Sequence, residues 1–298
     1  MQLNHPTTPL VIFSHGNSFP GGTYSQLTKG LETRGYNVKA IDRFGHDPRY
    51  PVTNNWPHLV DELAAFAATE MAKAQQPAWL VGHSMGGILS LMCAAKHREL
   101  AGHNIAGVLM MDSPVLTGWR SKLVAFGKLT RLIGSVSPGR VSRQRRNTWP
   151  SQAAAMAQWS TRPIFSTWAP ASLADYVAFG TQCVDTLADG SENDSDRDNE
   201  NACTLRFDRQ VETQIYNTLP HNVDSLLARH PIACPVSCMV GSRSVEMRRV
   251  GATFIQRLVG STQAPRWQVV DGSHLFPLES PAIAADMAAN ALADMATT

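Results

Sequence analysis

The sequence predicts an α/β fold: a mostly parallel central sheet with helices on both faces, carrying an inserted, mainly helical cap. Three observations carry that expectation. Apolar runs rich in β-formers alternate with helical patterns as far as residue 111. A Gly-x-Ser-x-Gly motif, Gly82-His83-Ser84-Met85-Gly86, joins one such run to a helical one. The alternation then stops between about 116 and 225 and resumes at Pro235. A chain of 298 residues suits one α/β domain with an insertion, divided as core 1–115 and 228–298 around a cap at 116–227.

Leu10-Val11-Ile12-Phe13 reads as a buried strand, ending in His15-Gly16 and a Gly/Pro-rich loop. Residues 23–34 read as an amphipathic helix, with Tyr24, Leu27 and Leu31 on one face and Gly35 as its stop. Residues 36–42 form the next strand. The loop 43–56 holds His46 and Asp47, sequence neighbours that point in different directions and suit a solvated turn. Residues 58–74 repeat Leu59, Leu63 and Phe66 at helical spacing. Ala78-Trp79-Leu80-Val81 is a buried strand leading into the motif, and Ile88 to Ala95 follow as a buried helix. Residues 105–111 make a further strand that ends in Asp112-Ser113-Pro114.

Residues 116–150 carry basic side chains from Arg120 to Arg146 and no acidic one. Residues 189–200 are acidic and polar and read as an exposed or disordered loop. The basic stretch lacks the interleaved aromatics of a nucleic-acid groove and reads as a solvated face pairing with that loop. Trp149, Trp159, Trp168 and Tyr176 suit the cap's own core, with some aromatics turned towards Ser84 to close an apolar pocket. Residues 235–241 and 267–270 are the last strands, separated by a helix at 248–258. A closing helix at 283–295 has Ser280 as N-cap and Pro281 at its first position.

A net charge of +2 points to neither nucleic acid nor a membrane surface. The five cysteines are odd in number and have no zinc-like spacing, so they are expected to be reduced, in a reducing compartment. The N-terminus shows no basic region followed by an apolar core, and no apolar run has the length of a membrane span. A cytoplasmic location and a small-molecule substrate are the expectation.

The motif carries the chemistry. On a tight strand-to-helix turn, the hydroxyl of Ser84 stands out above the sheet, and Gly82 and Gly86 allow strand and helix to approach. The N–H of Met85 then lies at a helix start beside that hydroxyl, placed to donate to an oxyanion. The loop after the first strand offers a second donor, the N–H of Asn17 or alternatively of Ser18. A serine needs a base, and the base needs an orienting carboxylate. Among ten histidines, His274 is selected because it follows the last core strand. Asp112 satisfies the chain order serine, acid, histidine and sits directly at a strand end; Glu246, several residues into a loop, is the alternative. Asp271, three residues before His274, reads as a strand-end cap. No metal or cofactor is required.

Taken together, His15-Gly16, Gly82-His83-Ser84-Met85-Gly86-Gly87 and Gly272-Ser273-His274 with Glu279-Ser280-Pro281 resemble the α/β-hydrolase superfamily. The resemblance covers about 8–115 and 228–297 and leaves out the cap. It implies that the first two strands common in the superfamily are missing here. Most of those families place an aspartate after the penultimate strand in a glycine-x-x-aspartate register. Here that register reads Gly241-Ser242-Arg243-Ser244, so a serine stands where the acid is usual. Some relatives, certain haloalkane dehalogenases among them, carry the acid after the strand following the nucleophile, where Asp112 stands. Those dehalogenases use an aspartate nucleophile, so Ser84 argues against their reaction. The resemblance implies acyl transfer to water: carboxylic-ester or thioester hydrolysis of a small, largely apolar substrate through an acyl-serine. Two alternatives remain open at this level. One uses the same residues for carbon–carbon or amide cleavage or acyl transfer. The other is a ligand-binding receptor with little turnover.

Overall fold

Strands whose residues are apolar on both faces must be covered on both faces, and this requirement builds the molecule. The computed structural model describes residues 8–129, 139–183, 202–260 and 266–297. The first part of the chain forms β1 (Leu10–Ser14), α1 (Ser25–Glu32), β2 (Asn37–Ala40), α2 (Pro57–Ala74), β3 (Ala78–His83), α3 (Met85–Lys96), β4 (Glu99–Leu100) and β5 (His103–Met111). A single 3-10 turn, Gly21–Tyr24, precedes α1, so the helix expected from residue 23 starts slightly later.

The inserted segment forms α4 (Gly118–Leu129), α5 (Gly139–Gln144), β6 (Thr148–Trp149), α6 (Gln152–Ser160), α7 (Pro170–Gly180), β7 (Thr181–Cys183), β8 (Cys203–Leu205), α8 (Arg209–Asn217) and α9 (Val223–Arg229). The chain then completes the core with β9 (Val236–Gly241), α10 (Val245–Val250), α11 (Thr253–Gly260), β10 (Arg266–Val270), α12 (Phe276–Glu279) and α13 (Pro281–Ala296). The single helix expected at 248–258 is two helices, because Gly251 adopts φ 80° and turns the chain between them. Ser280 does occupy the N-cap position of α13, but its side chain makes no capping bond.

The central sheet runs β10-β9-β5-β3-β1-β2, every pair parallel, with the short β4 antiparallel on β5. Alternation along each strand splits the core into two faces. Ile12, Leu80 and Met110 join the cluster covered by α2 and α3, while Val11, Val81 and Leu109 join the one covered by α1 and α13. The connections lead outward from β1 to β2, then cross back over β1 to β3. The switch point therefore falls between β1 and β3, and ligands in such sheets bind beyond the carboxyl ends of the strands at that place. Asn17 follows β1 and Ser84 follows β3.

Residues 112–235 lie between two adjacent parallel strands, β5 and β9, so the segment is an insertion in the sheet's own terms. It is not purely helical: β6, β8 and β7 form a small antiparallel sheet that strand periodicity did not reveal, because each strand is only two or three residues long. Cys183 and Cys203 face each other in that sheet's register and form a disulfide. The expectation of five reduced cysteines is corrected by this cross-strand pairing, and its bearing on the cellular compartment goes with it; Cys93, Cys234 and Cys238 are free. The acidic run 189–200 lies outside the described residues. Among the described residues no helix is long and apolar enough to cross a membrane.

Alkylation of the denatured chain without reductant, read by intact mass, should label three thiols, and five after reduction. Five labels without reductant would remove the disulfide.

Candidate functional site

The elbow at Ser84 is sterically determined. Ser84 has φ 53° and ψ −117°, a region that costs a non-glycine residue about 1–3 kcal/mol and survives only where its surroundings hold it. A Cβ on Gly82 would sit 2.3 Å from the Gly86 carbonyl carbon, and one on Gly86 would sit 2.0 Å from the Ser14 carbonyl oxygen. Only glycines let β3, α3 and β1 close on one another here. The Ser84 N–H still donates to the Met111 carbonyl at 2.8 Å, so the sheet ladder holds the turn up to the nucleophile position.

The structure brings three of the expected residues into one relay. The half-buried Ser84 donates its Oγ–H to His274 Nε2 at 3.0 Å, and His274 Nδ1–H donates to Asp112 Oδ2 at 2.6 Å. Asp112 is fully buried, and its φ of 42° turns its side chain off the end of β5. Its other oxygen accepts the Gly241 N–H at 2.7 Å. Ser244, which the resemblance marks only as the place of a missing carboxylate, donates its hydroxyl to Asp112 Oδ2 at 2.6 Å and accepts the Met247 N–H. Glu246 lies in the first turn of α10, and the histidine's Nδ1 is taken by Asp112 instead. Asp271 pairs with Ser242 and Arg243, not with His274. His46 bonds the Phe44 carbonyl and the Asp208 N–H, and Asp47 bonds Arg49, so these two neighbours do not act together.

Two further side chains hold the loops of this relay and escaped notice in the sequence. Gly16 N–H donates to the Tyr24 hydroxyl at 3.1 Å, so that hydroxyl gives its own hydrogen to His83 Nδ1 at 2.7 Å. His83 must then carry its proton on Nε2, which donates to the His274 carbonyl at 2.8 Å. One neutral histidine thus links the loops after β1, β3 and β10. His83 was visible inside the motif, but nothing local says where its ring points. The His274 loop is held from the other side by Glu279, which accepts the N–H and hydroxyl of Ser273 and the hydroxyl of Thr167.

The expected oxyanion donors flank this relay. Met85 is the first residue of α3, so its N–H has no carbonyl partner within the helix. Asn17 and Ser18 are buried in the turn after β1, closed by the Phe19 N–H on the Gly16 carbonyl. Phe19 packs on Trp168 and Tyr176 of the inserted segment, which ties that aromatic cluster to the turn. The basic stretch is more than a solvated face, since Arg145 pairs with the buried Glu212 at 3.1 Å. Among the described residues no group of three or more His, Cys, Asp or Glu is placed to hold a metal ion.

A family model described as the alpha/beta hydrolase family matches residues 11–287. The chain belongs to that family. The chain is similar to the monoglyceride lipase of Rattus norvegicus, 26% identical over 140 residues, 44% of this chain and 45% of the relative. It is also similar to the pyrethroid hydrolase of Sphingobium wenxiniae, 29% identical over 111 residues, 36% of this chain and 38% of the relative. The chain thus spans less than half the length of these curated relatives. A solved E-2-(acetamidomethylene)succinate hydrolase superposes with a TM-score of 0.69 at 20% identity, covering 96% of this chain and 91% of its own, a likeness of fold.

Burial sets the protonation of the loops. His15 accepts the Phe44 N–H on Nε2 and donates Nδ1–H to the Gly16 carbonyl, and burial lowers its pKa to about 4. Burial also lowers His83 to about 3. Unfolding below pH 6.5 therefore takes up a proton at each, so stability falls as the pH drops from 6.5 towards the folded values. Glu62, which accepts the Gly45 N–H, acts in the opposite sense: burial raises it to about 7, so the folded chain keeps a proton that the unfolded one releases above 4.5. His46, His97 and His221 are lowered by burial in the same sense, so proton uptake at the histidines outweighs the release at Glu62 near pH 5.5 and stability falls with pH. Urea unfolding between pH 6 and 5 should show that fall, and Glu62→Gln should steepen it. A flat profile in both chains would contradict the assignment. Ser244→Ala should cost about 1–3 kcal/mol in the same measurement at pH 7, because the buried carboxylate loses a donor.

Proposed function

We propose that this protein is a serine hydrolase that cleaves a carboxylic ester or thioester through an acyl-serine intermediate. The unbroken relay from Ser84 through His274 to the buried Asp112 carries this reading. His274 Nε2 takes the Ser84 proton as Oγ attacks the carbonyl carbon. Asp112 holds the imidazole in the tautomer that leaves Nε2 free to accept, and it stabilises the imidazolium that forms. The N–H groups of Met85 and Asn17, with Ser18 as the alternative to Asn17, receive the developing oxyanion. His274 then returns the proton to the leaving group. Water, deprotonated by the same nitrogen, releases the acid and restores Ser84.

The segment 116–227 serves as the cap. Its Trp168 and Tyr176 meet Phe19 beside the oxyanion turn, which suits a small, largely apolar acyl group and excludes water. Two similar proteins named as a lipase and a hydrolase support bond cleavage, and a complete relay favours turnover over a receptor role.

Incubation with a fluorophosphonate, read by intact mass, should add one adduct to the native chain and none to Ser84→Ala. Asp112→Asn should then lower kcat on a p-nitrophenyl ester by about 10⁴-fold, the cost of a wrong tautomer, while Glu246→Gln leaves it unchanged. A folded native chain that forms no adduct would refute the reading.

A further inference from the structure

The turn that carries the second oxyanion donor is held from outside the core. Phe19 N–H closes on the Gly16 carbonyl at 3.2 Å, and Ser18, the third residue of this turn, has φ 79° while Asn17 does not have a positive φ. That combination is a type II turn, whose third position favours glycine. In the type I alternative the peptide between Asn17 and Ser18 is rotated by about 180°, which reverses its N–H and C=O. A serine at this position needs an external hold.

The hold comes from one residue of the inserted segment. Glu212 on α8 is 3% exposed, and its Oε1 accepts the Ser18 hydroxyl at 2.5 Å and the Ser142 hydroxyl at 2.8 Å. Its main-chain carbonyl accepts the Asn17 side-chain amide at 3.2 Å. Its Oε2 lies 3.1 Å from Arg145 Nη2, which balances the buried charge. One helical turn further on, the buried Tyr216 ring lies beside the side chains of Ser18 and Asn17. Every one of these bonds joins the inserted segment to the two turn residues or braces the carboxylate that does so.

The geometry points to Glu212 as a positioning residue: docked through Ser18, it keeps the Asn17–Ser18 peptide in its type II orientation and so presents the Ser18 N–H, the alternative second donor, to the oxyanion. The oxyanion site is then complete only when the inserted segment is seated on the core. This inference rests on the hydrolase reading above.

The fluorophosphonate adduct on the native chain is measured first, and its absence would remove both readings. With the adduct present, Glu212→Ala should lower kcat on a p-nitrophenyl ester by about 10- to 100-fold, up to the cost of losing one oxyanion donor. KM and the shape of the pH profile should stay in place. Affinity for a trifluoromethyl ketone should fall in step with kcat/KM. Ser18→Gly in the Glu212→Ala background should recover most of the loss, because glycine holds a positive φ without an anchor. A merely structural role for Glu212 would give no such rescue. Should Glu212→Ala fail to fold, Ser18→Ala against Ser18→Gly reads the same effect, with alanine the slower by about tenfold or more. Unchanged kcat in a folded Glu212→Ala chain, absence of rescue, or equal rates for the two Ser18 variants would overturn the proposal and leave the hydrolase reading standing.

Discussion

A carboxylate with no exposure to solvent organises this site. Asp112 would be costly to bury alone, and three donors converge on it: the His274 ring, the Ser244 hydroxyl and the Gly241 N–H. They come from the loops that follow β10 and β9, while Asp112 itself ends β5. Satisfying one buried charge therefore aligns the carboxyl ends of three adjacent strands. The same charge fixes the tautomer of His274, so Nε2 faces Ser84 as an acceptor. Moving the carboxylate would undo the loop geometry and the proton relay together.

Around that charge the loops are held by neutral hydrogen bonds. The chain from Gly16 through Tyr24 and His83 to the His274 carbonyl uses groups that burial keeps uncharged. It connects the turn after β1, the elbow at Ser84 and the His274 loop without adding net charge to a site already holding Asp112. The glycines at 82 and 86 do the complementary steric part. They permit backbone contacts that any Cβ would block, and these contacts hold the strained backbone of Ser84.

The inserted segment is built on different terms from the core. Its strands are short, its aromatics pack on one another, and a disulfide ties β7 to β8. Glu212 and Ser142, with the partly buried Arg145, form a polar group where the segment meets the turn after β1. Such a group is favourable only when fully seated, which makes this contact more selective about fit than the apolar packing of Phe19 on Trp168 beside it.

In the sequence by itself the sheet, the elbow and the place of His274 after the last strand are legible. Apolar periodicity reveals β1, β3, β5 and β9, because burial on both faces demands continuous apolar runs. The elbow is legible because its steric demand falls within five consecutive residues, and His274 because it follows the last strand. Asp112 and Glu246 both satisfied chain order, so local pattern alone left the acid open. The tertiary structure sets Asp112, not Glu246, against His274 Nδ1, places Ser244 beside that carboxylate, and sets Glu212 against Ser18. It also joined Cys183 to Cys203, against the reading of five free thiols. These pairings depend on which loops lie side by side at the sheet's edge. Asp112 and Gly241 are 129 positions apart, and Ser18 and Glu212 are 194 apart. No periodicity reaches across such distances; only the folded sheet and the seated insertion bring those groups into contact.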